Sequence, residues 1–410
     1  MAKLQNLAIF LIFVVVILVS LLSTFIATFI GLPNKQKYNL NLVELSIRRL
    51  IDDVSKNLEK IRGLRFKEPI VIKIINTSWA IEMWAPEEGI EIPRELLYRE
   101  LIYKLSFLIP YDKTIIQLER SWVGMFWAAT AGTTLYINID YFNPNDPSAR
   151  NLLAHELTHV LQFLHFQIGY NPLTLDEGLA YATLVEGDAG LTQHLYCVET
   201  KLCTPSPPTH LYPGDLYLSL NLFPYIYGES FARYLYQRGG WNLINKAYEK
   251  PPKSTLMIMN PEIYLSYLLN GANVIVNVSI AINGIDKCAL SDTLGAYYVM
   301  LILINYIGIE KATDLALNWR GDRVMLCEYE NQANQSWVML WNTTWSSPSY
   351  AINFYKNITS MLKRKSNVLE LGEDKVLAMI NASNNVKHVV EVSITKNFNV
   401  FMKSWFTKNT

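Results

Sequence analysis

The stretch "LLAHELTHVLQFLHF", Leu152–Phe166, places two histidines four residues apart among mostly apolar side chains. The whole chain has only 6 histidines in 410 residues, so a pair at this spacing is notable. Side chains four residues apart lie on the same face of a helix, where two imidazoles can bind one metal ion. The stretch therefore predicts a helix that presents His155 and His159 to a metal.

Glu156 lies between the two histidines and completes a His-Glu-x-x-His pattern. In zinc peptidases this pattern supplies two neutral histidine ligands and a glutamate that takes a proton from water at the metal. We therefore predict one catalytic zinc ion, Zn2+, with His155 and His159 as ligands and Glu156 as the catalytic base. The alternative is a chance match on an ordinary apolar helix, so the surrounding sequence has to decide.

The third zinc ligand has two candidates on the next predicted helix, Glu177 in "EGLA" and Glu186 in "EGDA". Nine residues separate them, so on a straight helix they face opposite sides. If this helix begins near Thr174 and packs back antiparallel, the residue level with the histidines is about 184, roughly 10 Å beyond Glu177. The position along the antiparallel helix favours Glu186. The shorter sequence separation from the histidine motif favours Glu177. The glycine after each glutamate would allow a close helix approach.

Several blocks of the sequence resemble a largely uncharacterised family of prokaryotic zinc-peptidase-like proteins. Members of that family carry "HELTHALQDQHF" followed by "ALVEGDA", which correspond here to "HELTHVLQFLHF" and "TLVEGDA". Similar blocks include "FPYIYGESFARYLYQRGGW" (223–241) and "PPKSTLMIMNPEIY" (251–264), and together they span residues 115–365. The order of these blocks is far more specific than the histidine motif alone.

The resemblance implies a gluzincin, in which two histidines and a glutamate bind zinc on a thermolysin-like α+β core. It also implies Glu186 as the third ligand, because "LVEGDA" is the third-ligand segment of the family. One departure is Asn260, which stands where the family has a histidine. If that histidine assists catalysis in the relatives, this chain lacks its assistance.

Two further features concern the binding of a substrate. Tyr225 or Tyr227 could donate a hydrogen bond to the oxyanion that forms during peptide hydrolysis, although packing is the alternative in a chain with 24 tyrosines. The segment "TTLYINIDYF" (133–142) alternates apolar and polar residues like a β-strand. As an edge strand beside the site it could hold an extended peptide by strand pairing.

The composition is that of a folded protein without a preference for nucleic acid. Half of the residues are hydrophobic and 18% are charged, which is enough apolar material for a core. Lys+Arg and Asp+Glu each number 36, so the formal net charge is zero. Because no basic excess exists, we exclude nucleic acid as a partner and expect a peptide or protein substrate.

Residues 8–30 form an apolar run without any charged side chain. As a helix this run would be roughly 34 Å long, which is enough to cross a bilayer. It is longer than the apolar region of a typical signal peptide, and no clear cleavage site follows it. We therefore predict an uncleaved transmembrane anchor, with a cleaved signal peptide as the alternative.

The orientation of this predicted anchor depends on opposing cues. Flanking positive charges would place the following domain in the cytoplasm, but large domains follow such charges weakly. The four cysteines, two of them in "CVETKLC" (197–203), suit disulfides. Glycosylation signals occur at Asn76, Asn277, Asn334, Asn342, Asn357 and Asn381. We therefore predict a single-pass cell-membrane protein with an extracellular domain.

The patterns divide the chain into a transmembrane anchor with its linker (1–37), a zincin-like catalytic domain (38–270) and a mixed α/β accessory region (271–410). The predicted fold class is α+β, a thermolysin-like core with an N-terminal transmembrane helix and a mainly helical C-terminal part. The predicted function is a membrane-anchored zinc metallopeptidase that hydrolyses peptide bonds outside the cell. The alternative is an inactive surface or envelope interaction protein that keeps the zincin fold.

Overall fold

The computed structural model describes residues 40–84, 93–120, 126–166, 171–281, 287–331, 334–372 and 374–408. Its helices are α1 (Leu40–Arg62), α2 (Thr77–Trp84), α3 (Arg94–Leu105), α4 (Ile115–Arg120), α5 (Pro147–His165), α6 (Leu175–Thr200), α7 (Leu216–Asn221), α8 (Phe223–Glu249), α9 (Thr255–Met259), α10 (Pro261–Asn270), α11 (Gly295–Ile307), α12 (Ile309–Leu317) and α13 (Pro348–Lys365). Its strands are β1 (Val71–Ile75), β2 (Ala128–Ala131), β3 (Thr134–Asn138), β4 (Cys288–Asp292), β5 (Trp319–Asn331), β6 (Asn334–Trp345), β7 (Asn367–Gly372), β8 (Lys375–Ser383), β9 (Val386–Ile394) and β10 (Val400–Lys408).

Helix α1 packs on α5 and the three-stranded sheet through one apolar face. The buried residues of this face, which recur at helical spacing, are Ile47, Leu50, Ile51, Val54 and Leu58. They belong to the same hydrophobic cluster as Leu157 of α5 and Leu135 of β3. Burial of each such side chain contributes about 1.5–3 kcal/mol, so α1 is firmly attached to the helix that carries the histidines.

Strand β3 is the central strand of the three-stranded sheet, whose order is β1-β3-β2. It pairs in parallel with β1 and antiparallel with β2. The prediction of an edge strand at this segment is therefore wrong, because β2 takes the edge position. The chain then enters α5 at Pro147, where the Asp146 side chain accepts a hydrogen bond from the Ser148 backbone N–H at 2.8 Å.

Helices α5 and α6 run antiparallel, as we assumed when we compared the positions of Glu177 and Glu186 along the helix. His155 contacts Gln193 in the second half of α6, whereas Gln162, further along α5, contacts Val185. A disulfide between Cys197 and Cys203 links the last turns of α6 to the loop that follows, which confirms the disulfide predicted from "CVETKLC".

Helices α6 and α8 approach each other at a pair of glycines. A Cβ added to Gly187 would lie 2.2 Å from the Gly228 carbonyl oxygen, so no larger side chain fits at this crossing. A Cβ added to Gly178, the glycine after Glu177, would make only ordinary van der Waals contacts with the Pro172 side chain. The close helix approach that the glycines allow therefore occurs next to Glu186, between α6 and α8. It brings the first turn of α8 to the level of Glu186.

The C-terminal part is built around a seven-stranded antiparallel sheet in the order β4-β5-β6-β10-β9-β8-β7. The prediction of a mainly helical C-terminal part is therefore wrong. Both faces of this sheet are covered; for example, Val338 and Trp341 of β6 are each 1% exposed and belong to different hydrophobic clusters. A strand that is buried on both faces reads as a continuous apolar run, which periodicity does not separate from a buried helix.

The membrane part of the predicted fold class and localisation is not supported by the described residues. Among the residues described here, no helix combines the length and the apolar character needed to cross a bilayer. The most apolar of the described helices, α11, has 13 residues, roughly 20 Å in length, and is a core helix surrounded by protein. The predicted span, residues 8–30, lies outside the described residues, and we do not retain the single-pass extracellular assignment.

Candidate metal centre

The two histidines of the motif lie one turn apart on the face of α5 that meets α6. Their ring centroids are 4.8 Å apart, and their side chains are 4% and 10% exposed for His155 and His159. Neighbouring apolar residues of α5 point instead into the cluster shared with α1. The helix thus separates a core face from a face that carries the two imidazoles.

Glu186 of α6 reaches both imidazoles. Its Oε2 atom lies 3.1 Å from His155 Nε2, and its Oε1 atom lies 3.5 Å from His159 Nε2. Ligand atoms of the three residues all lie within 4.8 Å of one another. These three side chains therefore form a group that could hold a metal ion.

Glu177, the competing candidate, has a different environment at the first turn of α6. Its carboxylate accepts hydrogen bonds from the Leu173 backbone N–H at 2.9 Å and from Lys253 Nζ at 2.8 Å. Its own backbone N–H donates to the Thr174 side chain that caps the helix. These contacts stabilise the helix terminus, and the structure places Glu186 rather than Glu177 beside the histidines.

Glu156 is fully buried beside these three residues. Its Oε2 atom accepts a hydrogen bond from the Thr130 hydroxyl of β2 at 2.8 Å. Within the described part of the chain, the buried atoms Glu156 Oε1, His159 Nε2 and Tyr225 Oη lack a hydrogen-bond partner. A metal ion with its bound water would supply partners for such atoms, so the residues present fit a metal.

Burial shifts the protonation equilibria of the site. It raises the pKa of Glu156 and the pKa of Glu186 to about 7, and it lowers the pKa of His155 and of His159. Neutral imidazole is the form that binds a metal. A cation at the centre would in turn favour the ionised form of both carboxyl groups.

The two tyrosines considered from the sequence differ in position. The Tyr225 hydroxyl is buried near Glu186 and Glu156, and burial together with these carboxyl groups raises the pKa of the phenol well above its usual value. The Tyr227 ring packs against the rings of Phe223 and Tyr297, at centroid distances of 4.9 and 5.8 Å. Only Tyr225 therefore belongs to the site, and Tyr227 serves in packing.

Sequence reasoning missed the side chains that hold the motif in place. Thr130 contacts Glu156, Gln162 lies 2.8 Å from His159 Nδ1, and Gln193 lies 3.3 Å from His155 Nδ1. Gln162 follows His159 by three residues, so its position on the same helix face was a usable signal. Thr130 and Gln193 are 26 and 38 residues from their partners, and no local pattern links them.

Comparison with known proteins gives one partial match. The model of one protein family, described as the eCIS core domain, matches residues 126–165. This segment, roughly a tenth of the chain, contains β2, β3 and α5 and ends before Glu186. No curated protein and no solved structure matches the chain. We therefore do not retain the thermolysin-like core, and membership of the zinc-peptidase-like family stays a prediction.

Proposed function

We propose that this protein is a zinc-dependent metallopeptidase. The observation that carries the proposal is the convergence of His155, His159 and Glu186 beside a buried glutamate with one free carboxylate oxygen. Two histidines and one carboxylate are a ligand set typical of catalytic zinc, which uses three protein ligands and keeps one position open. A bound zinc ion would lower the pKa of water and polarise the carbonyl of the scissile bond.

Glu156 is the group that moves protons in this proposal. Thr130 holds its Oε2 atom, so the unpartnered Oε1 atom is left to accept a proton from the attacking water. The same carboxyl group, once protonated, can return that proton to the leaving amine. Glu156 therefore serves both halves of the reaction.

Two features would orient the substrate. The Tyr225 hydroxyl, which is buried beside Glu186 and Glu156, could donate to the oxyanion. Strand β2 is an edge strand and contacts Glu156 through Thr130. An extended peptide paired with the outer edge of β2 would pass close to the catalytic base.

The departure at Asn260 concerns a different part of the molecule. Asn260 ends α9, where its backbone N–H donates to the Leu256 carbonyl. Helix α9 contacts the start of α6 through Thr255 and Asp176. Asp176 is ten residues from Glu186 in α6, roughly 15 Å along the helix axis. We therefore expect the Asn260 substitution to leave the catalytic groups intact.

The alternative, an inactive protein that keeps only the metal site, is less well supported. Glu156 is buried beside the three candidate ligands, and its Oε1 atom has no partner among the described side chains. Metal binding by these ligands does not need a carboxyl group at this position, whereas hydrolysis needs a base there. The position of Glu156 therefore favours an enzyme.

Zinc content and hydrolysis, measured on the same purified protein, test the proposal. We expect about one zinc ion per chain and cleavage of casein, an unfolded protein substrate. A chelator should abolish cleavage, and added zinc should restore it. Cleavage that persists after the metal has been stripped would contradict the proposal, as would a folded protein that binds zinc but cleaves no peptide.

A further inference from the structure

A chain of buried hydrogen bonds leads away from His159. The Gln162 Oε1 atom lies 2.8 Å from His159 Nδ1. The Gln162 Nε2 atom donates to the Val185 carbonyl at 2.8 Å and to Asp188 Oδ2 at 3.2 Å. Gln162 and Asp188 are both 0% exposed, so water does not compete for these bonds.

The far end of this chain is Arg62, the last residue of α1. Its Nε and Nη2 atoms donate to the two carboxylate oxygens of Asp188 at 2.7 and 3.1 Å. Nη2 also donates to Asn245 at 2.7 Å, and the guanidinium carbon lies 4.4 Å from the Trp241 ring centroid. Tyr248 donates its hydroxyl to Asp188 at 2.9 Å. The Arg62 side chain is fully buried.

The direction of every bond in this chain is determined by chemistry. Arginine donates and does not accept, so Asp188 is the acceptor of its hydrogen bonds. The Val185 carbonyl is likewise an acceptor, so the NH2 group of Gln162 has to face these two groups. The Gln162 oxygen then faces His159, which has to donate through Nδ1–H. The Nε2 atom of His159 is left with its lone pair directed at Glu186.

We infer that Arg62, Asp188 and Gln162 are positioning residues that fix the Nδ1–H tautomer and the ring orientation of His159 as a metal ligand. The inference rests on the metal site of the proposed function. It assigns α1 a role in that site, because Arg62, which holds the Asp188 carboxylate through two hydrogen bonds, lies at the end of this helix. Retention of the metal then depends on the attachment of α1.

His155 has no equivalent constraint. Its Nδ1 atom lies 3.3 Å from Gln193 Oε1, and Gln193 Nε2 lies 3.4 Å from the Ser206 hydroxyl. A hydroxyl can donate or accept, so Ser206 does not determine which way the Gln193 amide faces. The fixed tautomer is therefore specific to His159, and His155 provides an internal reference.

The test measures the histidine tautomers and the zinc affinity of the full chain. Nitrogen-15 NMR of the metal-free protein at about pH 8, where imidazoles are neutral, reports which ring nitrogen carries the proton. We expect His159 to be entirely Nδ1–H in the wild type and mixed in Gln162→Leu. Zinc affinity, measured by competition with a chelator, should fall about 10–100-fold in this variant.

A matched control and milder variants complete the design. Thr158→Val removes a buried hydroxyl of the same helix that donates to the Ala154 carbonyl, and it should leave the His159 tautomer and the zinc affinity unchanged. Arg62→Lys should act in the same direction as Gln162→Leu. If Arg62→Lys does not fold, Tyr248→Phe removes one Asp188 donor and should weaken zinc binding about 2–5-fold.

An unchanged tautomer and an unchanged zinc affinity in Gln162→Leu would overturn the inference. These readouts do not use peptide hydrolysis. A protein whose His159 tautomer responds as expected but which cleaves no peptide would retain the positioning role and lose the proposed function. A protein that cleaves peptides with an unaffected tautomer would retain the function and lose the positioning role.

Discussion

Helix α6 carries two buried carboxyl clusters, and they differ in how their oxygens are used. At the start of the helix, Asp176 lies close to Asp292 and Asp322. Three turns further on, Glu186 lies close to Glu156. Burial raises the pKa of Asp322 to about 7, the same value as for Glu156 and Glu186. Burial and shifted pKa values therefore do not distinguish the two clusters.

The cluster at the helix start is satisfied by protein donors. Asp176 accepts from the Thr255 backbone N–H at 2.8 Å. Further donors include the backbone N–H groups of Leu175 and Thr293 for Asp292, and those of Leu294 and Gly295 for Asp322. These bonds join the ends of helices and strands, so the acids serve the architecture.

The second cluster has acceptors and donors without partners. Glu156 Oε1, His159 Nε2 and Tyr225 Oη are buried and unpaired within the described residues. Buried polar atoms are normally paired, and unpaired ones call for an explanation such as an ion or a reacting group. The comparison teaches that unsatisfied atoms beside the candidate ligands, rather than buried charge, distinguish the functional cluster from the structural one.

Removal of the third metal ligand should have the largest effect of the substitutions that test this comparison, and the effect is a loss of zinc affinity. Glu186→Ala leaves two imidazoles at the metal, and we expect zinc affinity to fall at least about 1,000-fold, or roughly 4 kcal/mol. Glu177→Ala is the matched control on the same helix. It should keep the zinc affinity and lose about 1 kcal/mol of stability at the helix start. Chelator competition and urea unfolding measure the two effects, and the reverse pattern would assign the metal to Glu177.

A buried imidazole in the seven-stranded sheet extends the comparison to histidines. His388 of β9 lies 2.6 Å from the Ser404 hydroxyl through its Nε2 atom. Its ring packs against Phe107 and Phe406, at centroid distances of 4.7 and 4.9 Å. Burial, together with the nearby Lys365 charge, lowers the pKa of His388 to about 4. Unlike the Nε2 atom of His159, the Nε2 atom of this imidazole has a hydrogen-bond partner, and His388 serves the fold.

The lowered pKa of His388 has a definite sign in the pH dependence of stability. The unfolded chain has a histidine pKa of about 6.5, so it binds more protons than the folded chain between pH 6.5 and 4. Stability should therefore fall by about 3 kcal/mol as the pH drops through this window. Urea unfolding of metal-free His388→Gln should lack this part of the acid dependence. An equally steep loss in the variant would show that His388 is not the responsible group.

Tyr225 provides the next test, with an effect on rate rather than on metal binding. Tyr225→Phe removes the unpaired hydroxyl, and we expect kcat to fall about 100-fold, or roughly 2.7 kcal/mol, with unchanged zinc content. Tyr227→Phe is the control, because the Tyr227 ring packs against other aromatic rings. Equal rates for the two variants would remove Tyr225 from the reaction.

The smallest effect should come from the satisfied cluster. Asp322→Asn places an amide NH2 group against the N–H donors of Leu294 and Gly295 or leaves one of them unpaired. We expect a loss of about 2 kcal/mol in unfolding free energy and no change in zinc affinity. A change in the zinc affinity of the folded variant would mean that the two clusters are coupled.

The sequence predicted the centre of the site better than its surroundings. His155, Glu156 and His159 lie within one turn of a helix, and local spacing describes such an arrangement fully. Counting residues along two antiparallel helices favoured Glu186 over Glu177, and the resemblance in "LVEGDA" implied the same residue. Thr130 and Asp188 were not predicted as partners, because their contacts depend on tertiary packing of a strand and of α1 against α5.

The fold was less accessible from the sequence. Strands β5 and β6 are covered on both faces, so their apolar runs lack the alternation that separates strands from helices. The predicted edge strand at β3 failed for a related reason. Alternation of apolar and polar residues in a strand indicates that its two faces have different environments. It does not indicate which strands lie beside it, so β2 was not recognised as the edge strand.

The central claim is that Glu156 is the catalytic base beside a zinc ion held by His155, His159 and Glu186, and Glu156→Gln tests it most directly. Glutamine keeps the size of the side chain and can accept the Thr130 hydrogen bond, but its amide does not take up a proton. Zinc content and casein hydrolysis should be measured on the wild type and the variant in parallel. We expect equal zinc content and a hydrolysis rate at least about 1,000-fold lower in the variant. A variant that holds zinc and cleaves as fast as the wild type would contradict the assignment.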